Sequence, residues 1–363
     1  MSGSLQGRTL LSLSSVLLFA ACASTQTSSQ TSSQPMPASA PARGSAESAS
    51  AGAFQRQHPY LASLIRATEV SNELTHDRVV AARGGGEQLD GQLQAQLVQD
   101  VLLAAESPRL APSGEFAALA PPRVQAMLQR GQLLQRLIYD TYADPAVSNP
   151  KAEVEAAVDA YLADAELAFP AEPKGMEIMD GQTYSKAFRE GYARLNGLMW
   201  AGHWLQLAAF EPLLLYRVAP EKQQAAVLAI AARYWSMFEA PPEGFPVAMP
   251  MAPAIAPSLV RLHPRAAAII DNMNMMHDVL SDLLVNASVT DKTAALEDAV
   301  RQFTDPKHLA VEWYEWNRMA ILHGVGNQGG SATEFLPRPE RTELMDHSGH
   351  TGHGGMMPPG MGM

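Results

Sequence analysis

One cysteine, Cys22, occurs in 363 residues, so the chain can form no internal disulfide and offers no Cys-x-x-Cys-His haem attachment. Basic residues are in deficit. Lys and Arg number 26 against 37 Asp and Glu, a formal net charge of −11. That balance argues against nucleic acid as a partner and against adhesion to anionic lipid by charge. Alternating apolar and polar runs are scarce, which leaves little material for sheet. A nucleophile elbow, a phosphate loop and a dinucleotide fingerprint are all missing. Gly84-Gly85-Gly86 follows a helical pattern rather than a strand and reads as a helix stop. No internal repeat of convincing period is visible. Beyond the N-terminus no run is fit to span a bilayer, since the most apolar one, 195–216, is interrupted by His203, Gln206, Glu211 and Pro212.

What the chain does have is helix-forming residues and enough apolar material, 47% of the total, for a sizeable core. Apolar residues recur at three- and four-residue spacing over 121–142 (Val124, Met127, Leu128, Leu134, Ile138, Tyr142) and over 151–167 (Val154, Val158, Tyr161). The segment 183–216 is amphipathic at first and then apolar on nearly all sides, so it predicts a buried central helix. Further helices are expected over 54–83, 88–106, 221–238, 258–285, 290–303 and 308–323. The proline-rich stretch 240–257 reads as a structured loop or a boundary between halves. The expected fold is all-α, with about nine helices in a body spanning 54–330.

The N-terminus carries Arg8 and then an apolar stretch, 10–21, of signal-peptide length and too short for a membrane span. It ends in Phe19-Ala20-Ala21-Cys22, which resembles a bacterial lipobox, with Phe19 where Leu is usual. The resemblance implies removal of residues 1–21, acylation of Cys22 and a lipid tether to a membrane. Ala rather than Asp after Cys22 points to the periplasmic face of the outer membrane. Residues 22–53 are Ser, Thr, Gln, Ala and Pro with almost no charge, a solvated spacer between anchor and body.

The C-terminal part, 331–363, reads as a flexible tail whose last nineteen residues are the most unusual stretch of the chain. Three of the ten histidines (His347, His350, His353) and five of the eighteen methionines (Met345, Met356, Met357, Met361, Met363) fall there, among Gly, Pro and small polar residues. Such a segment cannot bury a core. Thioethers are soft ligands that select Cu(I), and imidazoles suit Cu(II), Zn(II) and Ni(II). The pairing therefore favours copper, able to be held as Cu(I) or Cu(II), with zinc or nickel as alternatives. Met345-Asp346-His347-Ser348 and the spacings after it resemble the Met/His-rich repeats of periplasmic copper-resistance proteins. The likeness covers the tail alone and alternates His with Gly where those repeats carry more Met. It implies copper handling outside the cytoplasm and a copper-handling envelope protein as partner; it implies no fold.

Inside the body, Glu73 and His76 have the Glu-x-x-His spacing of di-iron carboxylate bundles. The helical wheel puts His76 at the edge of the apolar stripe and Glu73 well outside it, so the pair reads as a solvated surface feature. On 258–285, Met273, Met276 and His277 lie within one turn and could converge on a soft cation, while Met275 shares the opposite face with Asp271, Asn274, Asp278 and Asp282. On 308–323, His308, Glu312, Glu315, Met319 and His323 fall within ~80° of one another. If those helices met 183–216, His203, His277, Glu312 and His323 would line a polar pocket, either a hydrogen-bonded network or a metal or catalytic centre.

Three readings follow. The first is a cell-envelope lipoprotein that binds copper through its tail, in copper tolerance or delivery. The second is a helical metal-dependent oxidase or hydroxylase with an internal His/Glu site. The third is a lipoprotein whose helical body is an interaction module. The residues leave open whether the body is an enzyme.

Overall fold

Proline at the first helical position starts five of the long helices. Its missing N–H would be unpaired there anyway, and its fixed φ suits a helix. The computed structural model describes residues 52–82, 86–104 and 114–337, and among these nine helices reach ten residues or more. They are α1 (Pro59–Ala81), α2 (Gly86–Leu97), α3 (Pro122–Ala143), α4 (Pro150–Leu162), α5 (Ala193–Ala208), α6 (Pro220–Ser236), α7 (Pro264–Val285), α8 (Lys292–Thr304) and α9 (Trp313–Leu322). The described residues hold no strand, only an isolated bridge between Lys174 and Ala310. The fold is all-α. The expected signal segment, Cys22 and its spacer up to residue 51 lie outside the described residues, as do the tail ligands Met345, His347, His350, His353, Met356, Met357, Met361 and Met363.

The long helices share one construction. A short helix runs straight into a long one: Ala53–Gln57 into α1, Glu115–Leu119 into α3, Ala187–Gly191 into α5, and Pro257–Leu262 into α7. In three of the four a single buried residue joins them with nearly the same backbone: His58 at φ −129, ψ 57, Tyr192 at φ −141, ψ 57, and His263 at φ −139, ψ 63. None of the four short helices is capped by its own N-cap side chain. Each borrows a carboxylate instead. Asp77 of α1 accepts from Phe116 N–H at 2.8 Å, and Asp140 of α3 accepts from Phe54 N–H at 2.8 Å. Glu211, just past α5, accepts from Ser258 N–H at 2.7 Å, and Asp282 of α7 accepts from Phe188 N–H at 2.8 Å and Lys186 N–H at 2.9 Å.

The capping residue always stands at the same distance from the start of its long helix: Pro59 to Asp77, Pro122 to Asp140, Ala193 to Glu211, Pro264 to Asp282. The first and second units exchange caps, and so do the third and fourth. The chain is thus a fourfold internal repeat arranged as two reciprocal pairs, where the sequence shows no convincing period. The sequence hides it because the repeat preserves cap geometry and buried positions rather than residue identities, and its linkers differ in length. Each unit closes with an outer helix (α2, α4, α6 or α8) that packs on the long helix of its own unit. The long helices α1, α3, α5 and α7 form the core, with α1 against both α5 and α7, and α3 against α7 and the segment Phe210–Leu215.

Two expected helices are interrupted. The run 183–216 becomes Ala187–Gly191, α5 and Phe210–Leu215, because Lys186 is held at φ 70 under the Asp282 cap and Pro212 lacks the N–H that would bond Ala208. The run 308–323 is helical only from Trp313. Buried Lys174 explains this: its Nζ donates to the carbonyls of Asp305 (2.5 Å) and His308 (2.6 Å), and Val311 N–H bonds Pro173 O at 2.9 Å. These contacts pin the turns of 306–309 and the bridge at Ala310 against 173–175, and the stripe expected from His308 to His323 does not form. The polar face of α7 is also not at the surface. Asp271, Asn274, Met275, Asp278 and Asp282 are all buried, so α7 is a central helix just as α5 is.

Candidate functional site: a buried three-histidine cluster

At the centre of the bundle α1, α5 and α7 each contribute one imidazole. His76, His203 and His277 are buried, with exposures of 0%, 0% and 2%. The His277 ring lies 5.5 Å from that of His76 and 5.7 Å from that of His203, centre to centre. Both ring nitrogens of His203 and Nδ1 of His277 have no hydrogen-bond partner, and the His76 ring meets only the His277 backbone. Nearby positions of the same helices add further unmatched polar atoms: both side-chain atoms of Asn274, Oδ1 of Asn196 and Oδ2 of Asp278. The Phe116 ring closes one side, 4.9 Å from His76, held there by the bond between Asp77 and its own N–H.

Two other buried histidines show what this interior does with an imidazole that serves packing alone. His58 sits between Gln223 (3.1 Å) and Gln224 (3.2 Å). His263 sits between the Tyr142 hydroxyl (2.7 Å) and Glu155 (3.0 Å). In both, each ring nitrogen is matched. The contrast with the central three is sharp, because buried polar groups are normally satisfied and each exception asks for a cause.

Burial fixes the protonation of the cluster. It pushes His76 down to about 4 and His203 down to about 3, with the neighbouring His76 lowering His203 further. His277 is held well below the usual imidazole range by burial first and then by His76 and His203. All three are neutral at physiological pH, the form in which imidazole offers a lone pair to a metal. Glu73, one turn before His76 and half-buried, is pushed up to about 7 by burial. Asp278 is pushed up to about 8 by burial, against the pull of Arg189 and of Trp200, whose indole N–H it accepts at 2.8 Å.

His203 and His277 therefore come together as the pocket expectation required, but with different company. Glu312 is the exposed residue before α9 and His323 the half-buried one after it; neither joins the cluster. Met273 turns toward α3, where a Cβ on Gly131 would lie 2.6 Å from its sulfur and 3.5 Å from Phe169. Met276 is buried. The expected solvated Glu73–His76 pair is corrected: His76 is central and fully buried. The wheel misjudged it because Glu69, Ser71, Asn72 and Thr75 of α1 are buried as well. The α1 interior face is polar and much wider than its apolar stripe.

Imidazoles bound to one shared ion through metal–nitrogen bonds near 2.0–2.1 Å place their ring centres roughly 5–5.5 Å apart. Two of the three pairs, His277 with His76 and His277 with His203, approach this. Among the described residues no three His, Cys, Asp or Glu side chains are grouped so that they could hold a metal ion as they stand, so loading the cluster would require the rings to reorient. No protein family model matches the chain, and no curated protein or solved structure is significantly similar to it.

Proposed function

We propose that this protein is a copper-binding lipoprotein of the cell envelope, acting in copper tolerance or delivery. In this reading His76, His203 and His277 hold a metal ion inside the bundle, and the Met/His-rich tail exchanges copper with a partner. The observation that carries the internal half is three neighbouring, neutral imidazoles with unmatched ring nitrogens, each ring offering one lone pair. A metal ion is the ligand that uses such lone pairs without needing a counter-donor. The envelope half rests on Cys22 and on the tail sequence. A carboxylate-assisted oxidase centre has less support, since Glu312 and His323 stand apart from His203 and His277.

Elemental analysis of the full chain, purified from cells grown with added copper, tests both halves. Wild type should carry copper. A His203→Asn/His277→Asn variant should carry one equivalent less, and His347→Asn/His350→Asn/His353→Asn should lose a separate, weaker fraction. Equal metal content in wild type and the His203/His277 variant would remove the bundle from the reading. Partition of Cys22→Ser into detergent as fully as wild type would remove the lipid anchor.

A further inference from the structure

The charge environment of the cluster goes further than the presence of a metal. We infer that the bundle site takes a monovalent soft cation, Cu(I), and rejects the divalent ions Cu(II), Zn(II) and Ni(II); the inference rests on the metal-binding reading above. Four carboxylates on the same helices are engaged elsewhere. Asp77 caps Glu115–Leu119, and Asp282 caps Ala187–Gly191. Asp278 gives one oxygen to Trp200 and leaves the other unmatched, and Glu69 pairs through one oxygen with Arg66 at 2.9 Å and Arg136 at 2.7 Å. The donors in ring contact are three neutral imidazoles in a fully buried setting, closed on one side by Phe116, with the unmatched side chains of Asn196 and Asn274 as neutral oxygen donors at nearby helix positions.

Placing an ion in such a setting incurs a desolvation penalty that grows with the square of its charge, so a divalent ion is penalised about fourfold more than a monovalent one. Coordination preference points the same way. Cu(II) and Ni(II) favour four or more tetragonal N and O donors, and Zn(II) completes a tetrahedron with an anion or water. A d¹⁰ monovalent ion is content with few neutral donors and needs no water beside it. No redox step is implied inside the bundle; the ion enters already reduced. The tail imidazoles can hold Cu(II), so the two sites would sort copper by oxidation state.

The test uses the full chain, with Ag(I) as a redox-inert stand-in and anaerobic Cu(I) as the second probe, read by thermal unfolding. A ligand in the core raises the unfolding midpoint, whereas metal on the tail leaves the fold untouched. At about a hundredfold excess over Kd the shift should be roughly 5 °C or more. Ag(I) and Cu(I) should produce it, and Zn(II), Ni(II) and Cu(II) at the same concentration should not. His203→Asn and His277→Asn should abolish it. A shift from the divalent ions that vanishes in those variants would overturn the monovalent assignment and leave the metal reading standing. No shift from any ion would overturn both, as would a shift that survives both substitutions. If the variants fail to fold, X-ray absorption of wild type carrying one Cu(I) equivalent decides: a nitrogen-only shell is expected, and a sulfur-dominated shell would overturn the inference.

Discussion

An imidazole buried without a hydrogen bond costs a fold about 1–3 kcal/mol relative to one that is matched. Three together are a standing penalty on the metal-free protein. His203 has neither nitrogen paired, so His203→Leu, close in volume, should leave the metal-free fold as stable as wild type or stabilise it by about 1 kcal/mol, read from urea midpoints. A loss above about 2 kcal/mol would mean the ring makes a bond the protein relies on. The residue scale is also where the sequence was least readable. His203 and His277 sit among apolar neighbours and announce their burial. His76 sits among Glu, Ser, Asn and Thr, and only the helices packed around α1 reveal that this polar face points inward.

Glycine before two of the borrowed-cap helices has a direct steric reason. A Cβ on Gly114 would lie 1.9 Å from the Asp77 carboxylate, and one on Gly52 would lie 2.2 Å from that of Asp140. Gly114→Ala should therefore destabilise by about 1–3 kcal/mol, while Asp77→Ala alone should cost about 1 kcal/mol for the lost cap. The two should be strongly non-additive, because once the carboxylate is gone the methyl group meets little resistance. A double variant as unstable as the sum of the singles would show that the glycine serves something other than the cap.

Elements in this protein are held by groups far away in sequence, and Asp271 is the clearest case. Both its oxygens accept from Ala252 N–H, at 2.9 and 3.0 Å, starting the short helix Ala252–Ile255, and Oδ2 also accepts from the Trp316 indole at 3.1 Å. One carboxylate thus ties α7 to the proline-rich loop and to α9. Burial pushes it up to about 8, against those donors. With the folded value above the unfolded value of about 4, the folded chain keeps a proton that the unfolded chain releases. The stabilising contribution is complete below about pH 4 and fades as pH rises toward 8. Asp271→Asn keeps an oxygen for Ala252 and Trp316 but loses the second bond to Ala252, should be modestly less stable than wild type in acid, and lacks this slope. The stability gap should narrow steadily from pH 4 to pH 8. A gap that widens instead would mean the Asp271 carboxylate is ionised throughout and the two donors outweigh burial. Helix positions were largely legible from apolar spacing. The interruptions at Lys186 and at 308–311 were not, since each is imposed by a partner, Asp282 or Lys174, from another part of the chain.

At the scale of the molecule, the reciprocal caps and the core packing divide the labour. Caps are exchanged inside each half, α1 with α3 and α5 with α7. The packing of α1 on α5 and α7, and of α3 on α7, joins the halves. The three imidazoles straddle that junction, with His76 from the first half and His203 and His277 from the second. Neither half can bury its inner faces alone. Leu61, Leu64 and Ile65 of α1, or Ile269, Ile270 and Met276 of α7, would face water if the halves parted. The connection after α4 is exposed at Ala165 and Glu166, so a protease site inserted between them allows the chain to be cut there without touching the core. The nicked protein should elute at the size of the intact one in native buffer. It should also unfold in a single transition, with helical and aromatic signals lost together. Separation of the pieces in native buffer, each retaining its helical signal, would show that the caps suffice and that the halves are independent domains. The buried site would then be an interface between them rather than the centre of one cooperative core.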